Sequence, residues 1–240
     1  MKSQILPRVA QSRRVLIVAP HPDDETLGCG GLVATLSRLG AAFRFIFVTD
    51  GGASHPGSRL WPRWRLTAQR RREAHEALRR LGAGRAPRVF LGLPDAAMPA
   101  ERSPRWKEAV AQLGVVVREF QPDLAVLPWR RDPHCDHRDS WKMAQAALRW
   151  SPARPIILEY AIWLDELGAP EDYPQDCEAE PVALDITPVI AAKRAAVAAH
   201  MTQTTALIDD DPDGFRLNRA TITRLTSRTE TFWRARHASD

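Results

Sequence analysis

The run Val15-Leu16-Ile17-Val18-Ala19 constrains this chain more than any other stretch. Five apolar residues in succession, three of them β-branched, predict a buried strand. The run stops at Pro20, and His21, Pro22, Asp23, Asp24 and Glu25 follow at once. In open α/β sheets, ligands sit in the crevice outside the carboxyl ends of the strands. A histidine and two adjacent carboxylates therefore stand where a site is expected.

The stretches that follow alternate between helical and extended patterns. Thr26–Leu39 has leucines at helical spacing and ends at Gly40, which predicts a helix that Asp23 or Asp24 would cap. Residues 43–49 read as a second strand, parallel to the first and completing a right-handed βαβ unit. The Gly-, Ser- and Pro-containing segment 53–62 reads as a loop on the motif side of the sheet. An amphipathic helix is expected over 64–81, a short strand over 89–93 running into Pro94-Asp95, and a helix over 106–120. Leu124–Pro128 is a further buried strand, and it leads into a second histidine-rich loop, His134-Cys135-Asp136-His137. Beyond it the pattern predicts a helix over 139–150, a strand over 155–162, an acidic loop over 163–181, an edge strand over 182–186 and a helix over 188–200. Residues 201–240 are expected as loop and short helices, and residues 1–14 as a polar extension. The whole is expected to be one α/β domain spanning 1–240, with a mostly parallel central sheet.

Two loops that each follow a buried strand can do metal chemistry. Imidazole and carboxylate donors suit zinc, whose catalytic sites use three protein ligands and leave a position for water. His21, Asp24 and His137 would supply that set, leaving Asp23 beside the water as a general base. His134 would stabilise the oxyanion and protonate the leaving nitrogen, with Asp136 orienting its ring. Two of these residues also have plainer readings, Asp24 as a helix cap and His21 as a hydrogen-bonded loop histidine, and Cys135 is an alternative, soft metal ligand.

Composition narrows the class. The 240 residues are 44% hydrophobic and 26% charged, enough for a large core. No apolar run reaches the ~18 residues of a spanning helix, and three cysteines make no disulfide framework, so a cytoplasmic protein without a membrane span is expected. The net charge of +5 comes from arginine clusters such as 70–72 and 79–80. Without interleaved aromatics these read as a solvated helix face, and no nucleic-acid partner is expected.

The strand-His-Pro-Asp-Asp-Glu segment at 21–25, paired with His134-Cys135-Asp136-His137, resembles the LmbE-like, PIG-L-type zinc-dependent N-acetylglucosaminyl deacetylases. The resemblance runs from about residue 15 to residue 200. It implies a Rossmann-like three-layer sandwich and removal of N-acetyl from a glucosamine-containing small molecule or glycoconjugate by water on zinc, or on another divalent cation. It also implies His21, Asp24 and His137 as ligands, Asp23 as base and His134 as the oxyanion-stabilising acid. Arg70 and Asp95 are implied as substrate contacts, and Lys193, His200 and Gln203 match a C-terminal pattern. The alternatives are a zinc amidase acting on a larger acyl or thiol conjugate and, outside enzymes, a nucleotide-binding Rossmann-like module that uses Gly28-Cys29-Gly30-Gly31. A homo-oligomer is compatible with all three.

Overall fold

The computed structural model describes residues 5–236, with only the backbone of Ile5 and Leu6, so the ends of the expected terminal segments, 1–4 and 237–240, lie outside the described residues. Seven strands form one sheet in the order β3-β2-β1-β4-β5-β7-β6. They are β1 (Arg14–Ala19), β2 (Ala42–Thr49), β3 (Arg88–Leu93), β4 (Leu124–Pro128), β5 (Ile156–Tyr160), β6 (Ala179–Asp185) and β7 (Thr229–Ala235). The helices are α1 (Ile5–Ala10), α2 (Asp24–Leu27), α3 (Gly30–Arg38), α4 (Arg63–Arg80), α5 (Pro104–Phe120), α6 (Cys135–Leu148), α7 (Leu164–Leu167), α8 (Ile190–Val197), α9 (Met201–Thr204) and α10 (Arg219–Leu225). Strands β3, β2, β1, β4 and β5 run parallel, while β7 is antiparallel to both β5 and β6.

The alternation of a strand decides how the layers form. Val15, Ile17 and Ala19 of β1 enter one core with residues of α3, α4 and α8, while Leu16 and Val18 enter the other with residues of α5 and α6. Both faces are covered, which is why this strand carries no polar residue after Arg14. The sheet order reverses between β1 and β4, neighbours whose connections leave in opposite directions. That reversal opens a crevice at their carboxyl ends. It is the topological reason that the loops after β1 and β4 meet, although His21 and His137 are far apart in sequence.

Four local expectations are corrected. The helix expected over 26–39 is two helices, α2 and α3, broken at Gly28 and Cys29. Gly28 lies against the Tyr160 ring so closely that a Cβ would sit 2.2 Å from the ring's Cδ2. Neither Asp23 nor Asp24 caps α2 with its side chain, because both carboxylates are engaged elsewhere. Finally, segment 201–240, expected as loop and short helices, also contains β7, which inserts between β5 and β6 and pairs with β6 from Ala179↔Ala235 to Asp185↔Thr229. The polar extension expected over 1–14 includes α1, whose Val9 is buried in the core.

Candidate metal centre and active-site cavity

The loop between β1 and α2 turns sharply, and hydrogen bonds fix its shape. The Asp24 carboxylate accepts the backbone N–H of His21 at 2.9 Å, and the Glu25 carboxylate accepts that of Asp23 at 2.9 Å. Glu25 is fully buried and is itself held by the Thr26 hydroxyl at 3.0 Å, with His200 Nε2 at 3.4 Å. On the other side of the crevice, α6 begins at Cys135 and presents His137 in its first turn.

His21, Asp24 and His137, all buried, each offer one ligand atom within 4.8 Å of the others. Asp24 Oδ2 lies 3.1 Å from His21 Nδ1 and 3.3 Å from His137 Nε2. The far nitrogen of each ring meets a carboxylate. His21 Nε2 is 3.1 Å from Asp136 Oδ2 and 3.3 Å from Asp95 Oδ1, and His137 Nδ1 is 3.5 Å from Asp132 Oδ1. A carboxylate behind an imidazole is the usual device for orienting a metal-bound histidine. His137 has no exposed surface, yet neither ring nitrogen makes a hydrogen bond among the described residues. A buried donor or acceptor without a partner costs about 1–3 kcal/mol. In its neutral form the ring has one free lone pair, and a cation accepting it removes that penalty, so two imidazoles and a carboxylate fit zinc or a similar divalent ion. His21, His134 and Asp136 form a second such cluster, which shares His21 with the first.

The electrostatics separate the two adjacent aspartates. Burial pushes Asp23 up to about 6, against the pull of the Arg70 guanidinium, whose Nη2 is 3.0 Å away. Burial acts on Asp24 too, but His137 and His21 outweigh it and hold its carboxyl well below the usual range. For His137, burial opposes the imidazolium, while Asp24 and Asp132 carry it up to about 9. His21 is raised as well, because Asp136, Asp24 and Asp95 together overcome its burial. His134 goes the other way: burial, with His21 and His137 nearby, lowers it to about 4. Its Nδ1 faces the Asp136 backbone N–H at 3.2 Å, which assigns the remaining ring proton to Nε2.

A cavity of about 330 Å³ opens over these residues, lined at its inner end by His21, Asp23, Asp24, Arg70, Asp95 and His134. The eight residues expected as ligands, acid-base groups or substrate contacts thus come together, with two differences in partners, whereas of the C-terminal residues Gln203 lines the cavity, His200 lies against Glu25 and Lys193 pairs with Glu230. Arg70 is buried and holds the base loop, donating to Gly51 O at 2.9 Å and Pro22 O at 3.1 Å besides pairing with Asp23. The Asp136 carboxylate faces His21 and the Ala96 N–H, and it is the Asp136 backbone that meets His134. Cys135 is exposed and stands outside the donor clusters.

Sequence reasoning passed over Asp132 and Glu25. Asp132 is fully buried behind His137 and accepts the backbone N–H groups of His134, Ile162 and Trp163 at 3.1, 3.0 and 3.2 Å. Its signal was a carboxylate directly ahead of the Pro-His pair in the second loop. Glu25 had none beyond its place in the motif.

A family model described as PIG-L, GlcNAc-PI de-N-acetylase, matches residues 16–148, more than half of the chain. A 1D-myo-inositol 2-acetamido-2-deoxy-alpha-D-glucopyranoside deacetylase from Rhodococcus erythropolis is 28% identical over 249 residues, covering 82% of this chain and 83% of the relative. Among solved structures, N,N'-diacetylchitobiose deacetylase from Pyrococcus horikoshii superposes with a TM-score of 0.71 at 22% identity, over 97% of this chain and 87% of that one. GalB, a 4-carboxy-2-hydroxymuconate hydratase from Pseudomonas putida, does so with a TM-score of 0.65 at 19% identity, over 94% and 96%. A hydratase and a deacetylase share this architecture, so the reaction has to be argued from the site.

Proposed function

The chain belongs to the PIG-L family of de-N-acetylases, and from that premise we propose that it is a metal-dependent hydrolase removing the N-acetyl group from a glucosamine-containing small molecule or glycoconjugate. The observation that carries this reading is an ionisable carboxylate, Asp23, standing free of the His21, Asp24 and His137 donor set at the inner end of the same cavity. His21, Asp24 and His137 would hold a divalent ion, zinc in the first instance, which would supply Lewis acidity and a water ionisable near neutral pH.

The remaining work falls to the protein's own side chains. Asp23, at about 6, is mostly ionised at neutral pH and takes a proton from the water that attacks the acetyl carbonyl. The same pKa lets protonated Asp23 hand that proton to the departing amine. His134 is neutral there and carries its proton on Nε2, so it donates a hydrogen bond to the oxyanion. That tautomer supports the oxyanion half of the role expected for His134 more than the acid half. Asp136 steadies His21, and Asp132 steadies His137. Arg70 holds Asp23 against the cavity, and Arg70 and Asp95 border the space where the sugar hydroxyls would lie.

The test is a panel of N-acetylglucosaminides assayed for amine and acetate together after reconstitution with zinc. Release of both in equal amounts is expected. Amine released with a larger acid would transfer the same residues to the amidase alternative. Nucleotide binding without any hydrolysis would overturn both readings.

A further inference from the structure

The cavity over Asp23 changes character outward. Every carboxylate lining it, and the Arg70 guanidinium, belongs to a residue no more than 8% exposed. The outer wall is instead Trp163, Leu167 and Phe215, and Leu167 and Phe215 are 66% and 42% exposed. Large apolar side chains left open at the mouth of a polar cavity mark a surface awaiting an apolar partner.

Hydrogen bonds and packing hold this wall in place. Helix α7 is anchored by buried Leu164, and Arg224 ties its acidic side down through Asp165 at 3.2 Å and Glu166 at 2.8 Å, leaving Leu167 outward. Phe215 donates its backbone N–H to Ser54 O, and its ring meets Trp163 edge-on at 5.7 Å. Gly214, beside it, packs so closely on the His55 ring that a Cβ there would lie 2.3 Å from it. The loop carrying Phe215 is clasped further by Asp210, which accepts from the Ser58 hydroxyl and the N–H groups of Arg59 and Leu60 at 2.6, 2.8 and 2.9 Å.

We infer that Trp163, Leu167 and Phe215 form a subsite for an apolar group, aryl or alkyl, carried by the glucosamine whose acetyl is removed. The inference rests on the deacetylase reading for the identity of the sugar, and on the wall alone for the chemistry of the group attached to it. Leu167, Phe215 and the ring face of Trp163 offer a polyol no acceptor, and the Trp163 indole N–H at most one donor, so most of its hydroxyls keep their water only by standing away from the wall. An alkyl or aryl group gains contact with all three. This chain would therefore differ in preference from relatives whose names specify an inositol glycoside.

The experiment compares kcat/KM of the zinc-reconstituted protein for octyl, methyl and inositol glycosides of N-acetylglucosamine, which share the reacting head. The octyl glycoside is expected to be favoured over the methyl by tenfold or more, equivalent to about 1.4 kcal/mol. Leu167→Asp and Phe215→Ala should each bring that ratio most of the way to unity, while Leu39→Asp, exposed at the end of α3, should keep it. Equal kcat/KM for the three glycosides, or a ratio that survives both wall substitutions, would overturn the subsite and leave the deacetylase reading standing. Should no glycoside be deacetylated, calorimetry with octyl β-D-glucopyranoside below its micelle concentration separates the two. Binding abolished by Leu167→Asp keeps the subsite and rejects the reaction; no binding rejects the subsite too.

Discussion

Replacing Arg70 with methionine removes the cation that, among the described residues, pairs directly with Asp23, while keeping an unbranched stem that fills part of its space. Both residues are buried, 3% and 5% exposed, and the pair is 3.0 Å apart. Breaking a buried pair costs about 3–5 kcal/mol, which for a chain of this size lowers Tm by roughly 6–20 °C at about 2–4 °C per kcal/mol. The loss should sit at the lower end, because Asp23 is already pushed up to about 6 and can neutralise itself by binding a proton. The effect on activity has a definite sign. In the proposed mechanism Asp23 works as an ionised base, so the rate should fall as pH drops through its pKa. An opposite charge at this distance holds a carboxyl down by about 1–3 units, so its removal moves the acid limb upward by that amount. At pH 7 the ionised fraction would fall from about nine-tenths to between about one-half and one-hundredth. Activity should recover as pH is raised toward 9. Arg70→Lys keeps the charge and should keep the limb near that of the parent. The assay is kcat/KM against pH, run below the melting range established by circular dichroism. A methionine variant that melts lower but retains the parent's acid limb would refute the assignment of Arg70 to Asp23.

Further expectations follow from the same contacts. Asp23→Asn should lower kcat about 10²–10⁴-fold with zinc content unchanged, as read by metal analysis on the same sample; loss of the metal would place Asp23 among the ligands instead. Glu230→Ala should destabilise the fold strongly although it lies outside the cavity. Its carboxylate accepts from Lys193 Nζ and from the N–H groups of Gly31 and Leu32 at 2.6, 2.6 and 2.8 Å, and its loss leaves Lys193, 1% exposed, without its anion. A cost of about 3–5 kcal/mol is expected from denaturant melts, and a change below 1 kcal/mol would contradict the buried pairing.

The parts of the molecule legible in the sequence are those whose cause is local. Val15–Ala19 and Leu124–Pro128 announce buried strands because both faces must be apolar. The residues directly after them then fall at the crevice whatever the rest of the chain does. Strand β7 was hidden because its alternation, Thr229-Glu230-Thr231-Phe232-Trp233-Arg234, places a charged residue on an inward-facing position. Glu230 is tolerated inside only because Lys193 and the start of α3, distant in sequence, meet it there. Asp132 and Glu25 were missed for the same reason: an isolated carboxylate reads as surface until the backbone N–H groups it serves are known. Arg70 carried two readings, part of a solvated helix face or a sugar contact. Only the packing of α4 against the first loop buried it against Asp23.

The account rests on His21, Asp24 and His137 holding one divalent ion between them. Metal analysis of the protein reconstituted with zinc and dialysed free of excess, in parallel with His21→Ala and His137→Ala, tests this without reference to any substrate. One zinc per chain in the parent and well under one in each folded variant is the predicted result. A parent that retains no metal, or variants that retain it in full, would contradict the central claim.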